Sequence, residues 1–88
     1  MNFVFYIVSS NIDFYNENGL LGNYNKQDKI LSEFKSINRY KDAIWNIQGL
    51  INNSISINQD FYIKASVTLY GVTSNNDYVI VRQLELNM

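Results

Sequence analysis

The chain contains no histidine, no cysteine and no proline. Without Cys and His there is no thiol–imidazole pair, no disulfide, and none of the ligands on which most zinc, haem and iron–sulfur centres depend. Acid–base chemistry is left to carboxylates, Tyr and Lys. Asp13 and Glu17 stand at i and i+4 across an expected turn, which suffices only for a weak cation site. Asp60 and Asp77 fall at opposite ends of two expected strands, too far apart to work as a pair. None of the carboxylates is expected in a setting apolar enough to tune an acid or base for proton transfer. The sequence therefore predicts no enzyme, no cofactor and no metal centre.

Charge is scarce as well. Charged residues make up 17 % of the chain, the formal net charge is −1 and the pI is about 5.1. A general phosphate-backbone binder needs a clear basic surplus, which is missing. The acidic excess is equally far from a DNA-mimicking shell. Fourteen Asn, eleven Ile and seven Tyr fit AT-rich coding, yet Lys, which such coding also favours, occurs only five times. That shortage reads as selection against positive charge.

Long hydrophobic runs are absent too. Phe3–Val8 is apolar, but it is too short to span a membrane and has no Lys or Arg ahead of it, as a signal peptide would. It reads as a buried strand, and the chain is expected in a cytoplasm (that of the host, if the protein is viral). Asn52-Asn53-Ser54 is formally a glycosylation acceptor. With fourteen Asn and ten Ser or Thr among 88 residues, about 1.6 such triplets arise by chance, so one is uninformative.

What is present is a folding composition: 88 residues, 47 % of them apolar and 15 % aromatic, enough for one small core and one domain over 1–88. Phe3–Val8 is apolar on both alternating faces, as in a central strand. Ile12–Tyr15 either continues it or begins a second strand, since Asn18-Gly19 is the strongest hairpin signal in the chain. A turn there sets Phe14 opposite Asn23 and Tyr15 opposite Gly22, with a short return arm Leu20–Tyr24. Asn25 can cap a helix from Lys26 to Asn53, with Asp28 in its first turn. Ile30, Ile37, Tyr40, Ile44, Ile47 and Ile51 form its apolar stripe, and Phe34 sits at the margin. The helix is read as continuous or broken near Ser36–Asn38. In the broken form, Ser36 or Asn38 caps the second part and Lys29–Lys35 is free to be a strand.

The C-terminal third alternates. Phe61, Ile63, Ala65, Val67 and Leu69 interleave with Tyr62, Lys64, Ser66, Thr68 and Tyr70, a period-two strand. Ser74–Asp77 is a turn, and Tyr78–Leu86 returns. A tip at Asn75-Asn76 pairs Leu69 with Arg82, Val67 with Leu84 and Ala65 with Leu86. On the opposite face it pairs Val72 with Val79, Tyr70 with Val81, Thr68 with Gln83, Ser66 with Glu85 and Lys64 with Asn87. The expected fold is two-layer α+β: an antiparallel sheet of three to five strands with one long helix on one face, in the order strand, hairpin arm, helix, strand, strand.

One helix covers one face, so the other carries the candidate site. It comprises Tyr62, Tyr70, Val72, Val79 and Val81, with the adjoining turn residues Asn75, Asn76 and Asp77. Contiguous exposed apolar surface usually marks contact, and Tyr suits contact because it has few rotors to freeze. The competing reading folds Leu20, Leu21, Phe14 or Trp45 over the patch. Arg82 is expected on the helix face, anchoring Asp42 or Glu33, reaching the rim, or reading a ligand. Trp45 is a core flank or an exposed anchor. Five of the seven basic residues lie between Lys26 and Lys41, but they do not converge on one face.

These features predict a non-enzymatic factor that binds another protein, as an inhibitor or immunity-type protein does. Its most concrete form is a virus- or mobile-element-encoded inhibitor of a bacterial defence system; a homodimer is the other partner considered. The alternatives are a self-assembling structural subunit, as in a phage particle, and a weak nucleic-acid or nucleotide binder using Lys35, Arg39 and Tyr40.

Overall fold

The computed structural model describes residues 2–57 and 62–87. The fold is α+β: four antiparallel strands with one long helix against one face. The elements are β1 (Phe5–Asn16), β2 (Gly19–Ile30), α1 (Glu33–Ile57), β3 (Tyr62–Val72) and β4 (Tyr78–Asn87). The sheet order is β2-β1-β3-β4, so β1 and β3 are central and both hairpins place their second strand at an edge. Asp60 and Phe61 lie outside the described residues.

Alternation along the central strands builds the core. Tyr6, Val8 and Ile12 of β1 and Ile63, Ala65, Val67 and Leu69 of β3 point to the helix, which contributes Tyr40, Ile47 and Ile51. Ile37, Ala43 and Ile44 flank this cluster from the helix, and Phe3, Phe14, Ile30 and Leu86 from the sheet layer. The stripe expected from Ile37 to Ile51 is therefore the buried face of α1.

The helix begins later than its periodicity suggests. Lys26–Ile30 pairs with β1 over its whole length, Tyr6 opposite Ile30 and Ser10 opposite Lys26, so the return arm is a full strand. Polar residues such as Asn25 and Gln27 have little intrinsic strand preference, and pairing with a long central strand overrides it. Ile30 keeps its core-facing side, but from β2. The cap is Ser32, not Asn25: the Lys35 N–H donates to Ser32 Oγ at 3.3 Å, and the Ser36 N–H to the Ser32 carbonyl at 2.9 Å. The Ser36 hydroxyl donates back to the Glu33 carbonyl at 2.6 Å, which satisfies its burial in the first turn. α1 runs unbroken through Ser36–Asn38 and past Asn53 to Ile57.

The first hairpin turns at Glu17-Asn18, where the Asn18 N–H donates to Asn16 Oδ1 at 2.8 Å. Gly19 follows at φ 116°, a conformation that L side chains rarely adopt. The register is one residue off the expected one at Phe14, which faces Gly22, and two off at Tyr15, which faces Leu20 after an irregularity.

The second hairpin departs in a more consequential way. Thr73 and Asp77 are bridged by the Thr73 N–H donating to the Asp77 carbonyl at 3.0 Å, with Asn76 at φ 66°. This makes a three-residue loop, Ser74–Asn76, where a two-residue one was expected. Near the loop Val72 therefore faces Tyr78, Gly71 faces Val79, and Tyr70 faces Ile80. A bulge then inserts Val81, and from Leu69–Arg82 to Lys64–Asn87 the pairing follows the expected register.

Candidate interaction surface

No described element lies on the sheet face opposite α1. Register places Phe5, Ile7, Ser9, Asn11, Asp13 and Tyr15 of β1 there, beside Val72, Tyr70, Thr68, Ser66, Lys64 and Tyr62 of β3. The bulge corrects the expected site at Val79 and Val81. Tyr78 and Ile80 take the open face, and Val79 and Val81 turn to the helix side. Val81 accordingly lines a cavity there with Phe3, Tyr6, Glu33, Ile37 and Leu69.

The loop end of the open face is apolar in depth. Val72 is fully buried and Ile7 nearly so, although no element covers them. Their neighbours in the register supply the cover: Phe5 and Tyr78 flank Val72, and Tyr70 lies beside Ile7. The Tyr70 and Tyr78 rings meet edge to face at 5.7 Å, and Lys29 Nζ sits 4.3 Å from the Phe5 ring centre. Above this floor Tyr78 is 58 % exposed and Ile80 54 %. Of the eight expected contact residues, Tyr70 and the exposed turn residues Asn75, Asn76 and Asp77 belong to this patch, and Val72 is its floor. The loop is preorganised, since the Asp77 N–H also donates to Thr73 Oγ1 at 3.1 Å.

Tyr62 stands at the far end. Its ring stacks on Tyr15 at 5.3 Å with the planes 9° apart, and Lys64 Nζ lies 5.7 Å from the Tyr15 ring centre. Beside it is a shallow depression of about 280 Å³ lined by Asn11, Asp13, Lys64, Ala65, Ser66 and Glu85. The Asn23 amide reaches across from β2, donating to Asn11 Oδ1 at 2.9 Å and to Asp13 Oδ1. Between the two ends, Gln83 donates to Thr68 Oγ1 at 3.2 Å. No group of His, Cys, Asp or Glu suited to hold a metal ion occurs among the described residues, and none of their helices is long and apolar enough to cross a membrane.

None of the residues considered as cover folds over the patch. Phe14 packs into the helix-side core. Leu20 and Leu21 are exposed on the edge strand β2, and Trp45 stands 75 % exposed on the helix. The Lys35/Arg39/Tyr40 group is also dissolved. Tyr40 is buried in the core, where desolvation raises its hydroxyl pKa above the usual 10.0 while the positive charge of Arg82 pulls the other way. Arg82 reaches the rim: it lies on the helix face opposite Leu69 but is exposed, with no ion pair to Asp42 or Glu33. Sequence reasoning missed Phe5, Ile7, Tyr78 and Ile80, because one unforeseen bulge decides the last two.

No family model, curated protein or solved structure matches this chain.

Proposed function

We propose that this protein acts by binding another protein through the loop end of its open sheet face, as an inhibitor or immunity-type factor. The observation that carries the reading is the layered patch: exposed Tyr78 and Ile80 beside half-buried Tyr70, over buried Val72 and Ile7, on paired strands with no described element above them. A partner desolvates this patch at little cost in side-chain entropy, because the Tyr rings already hold each other. The absence of Cys and His nucleophiles, together with the small size, favours contact over catalysis. The concrete form proposed is a virus- or mobile-element-encoded inhibitor of a bacterial defence system, working in the host cytoplasm.

Among the described residues neither β2 nor β4 carries a further strand on its outer edge, which supports a second reading, self-assembly as a structural subunit. Sedimentation of the purified chain separates the two, since a concentration-independent monomer contradicts self-assembly. The main test is affinity capture from the native host followed by mass spectrometry, with wild type beside Tyr70→Asp and Tyr78→Asp. The reading expects one protein captured in stoichiometric amount by wild type and lost from both variants. Equal capture by all three, with the variants still folded, removes the open face as the site. Nucleic-acid binding predicts instead a capture that falls steeply with salt.

A further inference from the structure

The helix layer is narrower than the sheet beneath it. α1 packs against β1 and β3 and reaches β2, but among the described residues it makes no Cα approach within 8 Å to β4. A lane is left along the helix side of β4, between α1 and the free edge. Its floor is Arg82, Leu84 and Leu86, and its wall is α1, where Ile37 shares a cavity with Val81. Lys41 lies one helical turn beyond Ile37, and Trp45 one turn beyond that. Leu84 is 37 % exposed and Trp45 75 %.

The two edges differ. β2 is guarded by Lys26, Asp28 and Lys29, with Lys26 Nζ 4.0 Å from Asp28 Oδ2. β4 carries two charges, Arg82 and Glu85, and presents a regular ladder from Arg82 onward, beyond the bulge. In antiparallel pairing with an added strand, every second partner residue stands over the lane.

Charge selects the occupant. Arg82 and Lys41 make no ion pair among the described residues, and the carboxylate on this side, Glu33, lies at the first turn beside Tyr6 and Val81. A second copy paired edge to edge about Leu84 would bring the same two cations twice to one seam, with no carboxylate between them. A foreign strand with an acidic residue opposite Arg82 satisfies them. It also needs apolar residues opposite Leu84 and Leu86, and a basic residue opposite Glu85 on the other face.

We infer that the β4 edge from Arg82 to Leu86 is a strand-addition site for an extended segment of a partner protein that alternates apolar with charged residues and places a carboxylate over Arg82. This site stands independently of the open-face patch, which lies on the other side of the bulge.

The test titrates the isotope-labelled full chain, followed by its amide NMR shifts, with two blocked hexapeptides. One is Ser-Val-Lys-Val-Thr-Glu and the other its charge-swapped form, Ser-Val-Glu-Val-Thr-Lys. The expected result is saturable shifts at residues 82–86, with the first peptide binding about three- to tenfold more tightly, as one or two exposed ion pairs would give. Arg82→Glu is expected to abolish the preference, because each peptide then has one attractive and one repulsive pair, at residues 82 and 85. Tyr70→Asp, on the opposite face, should leave the titration unchanged, so failure of either site is read separately. No shift on β4 with either peptide, equal affinity for both, or a free chain already dimeric through residues 82–86 overturns the inference.

Discussion

Gly71 offers the sharpest test of the packing. A Cβ built on it would meet the Phe3 ring at 2.5 Å, closer than real Cβ contacts come. The ring atoms involved include Cγ, so the side chain cannot swing its tip away; the whole ring must leave. Phe3 is wedged there because it packs on the core and meets the Tyr6 ring edge to face at 5.7 Å, and because the Val4 N–H donates to the Val72 carbonyl at 2.8 Å. Two effects of Gly71→Ala oppose each other. Replacing Gly in a strand interior gains about 0.5–1 kcal/mol by restricting the unfolded chain. Overpacking costs about 1–3 kcal/mol. The clash outweighs the gain, with a net loss centred on about 1 kcal/mol and reaching about 2.5 kcal/mol, a fall in Tm of roughly 4–8 °C at the centre of that range for a domain of this size. The assay is a double-mutant cycle by urea denaturation with Phe3→Ala. In the Phe3→Ala background the clash is gone, so Gly71→Ala should be neutral or stabilising, and the coupling should exceed about 1 kcal/mol. Additive effects within about 0.3–0.5 kcal/mol would refute the placement of Phe3 over Gly71.

Other expectations follow from local geometry. Asn76→Gly should be neutral or stabilising, because φ 66° favours glycine, whereas Asn76→Ala should cost about 1 kcal/mol in the same denaturation assay. Ser32→Ala removes the cap of α1 and should cost about 1 kcal/mol, with fraying visible as faster amide exchange at residues 33–36. Tyr6 and Tyr40 both have raised pKa values, chiefly through desolvation, with the Glu33 charge adding to the effect at Tyr6. Above pH 10 the unfolded chain releases these protons before the native one does. Their contribution is therefore complete below pH 10 and declines as pH rises through the native values. Tyr40→Phe should flatten the alkaline fall in stability; an unchanged pH profile counts against the burial of that hydroxyl.

Much of the fold was legible in the chain. Period-two alternation in Ile63–Leu69 and a helical stripe from Ile37 to Ile51 are direct consequences of burying one face, so two layers and a single helix could be read without coordinates. The Asn18-Gly19 signal located the first hairpin to within one residue, the turn itself falling at Glu17-Asn18. The extent of β2 was illegible, because Lys26–Ile30 has no apolar alternation and owes its strand to the twelve-residue β1 beside it. The site was half legible for a related reason. Local pattern pointed to one sheet face without an obvious cover, leaving open that Leu20, Leu21, Phe14 or Trp45 folds over it, and residue identity there depends on loop length. A left-handed Asn76 lengthens the loop by one residue, and the bulge at Val81 absorbs the difference.

By itself, then, the sequence determined which chemistry is unavailable. A chain without His or Cys lacks those nucleophiles and ligands however it folds, and its hydrophobic periods set the secondary structure and the two-layer plan. Tertiary structure alone decided which apolar residues remain exposed. The position of α1 over β1 and β3 leaves Arg82 and Leu84 of β4 exposed on its helix side, and the Val81 bulge hands Tyr78 and Ile80 to the open face while withdrawing Val79 and Val81. The physical reason is that side-chain period is a local property, whereas register and layer coverage are settled by segments far apart in the chain.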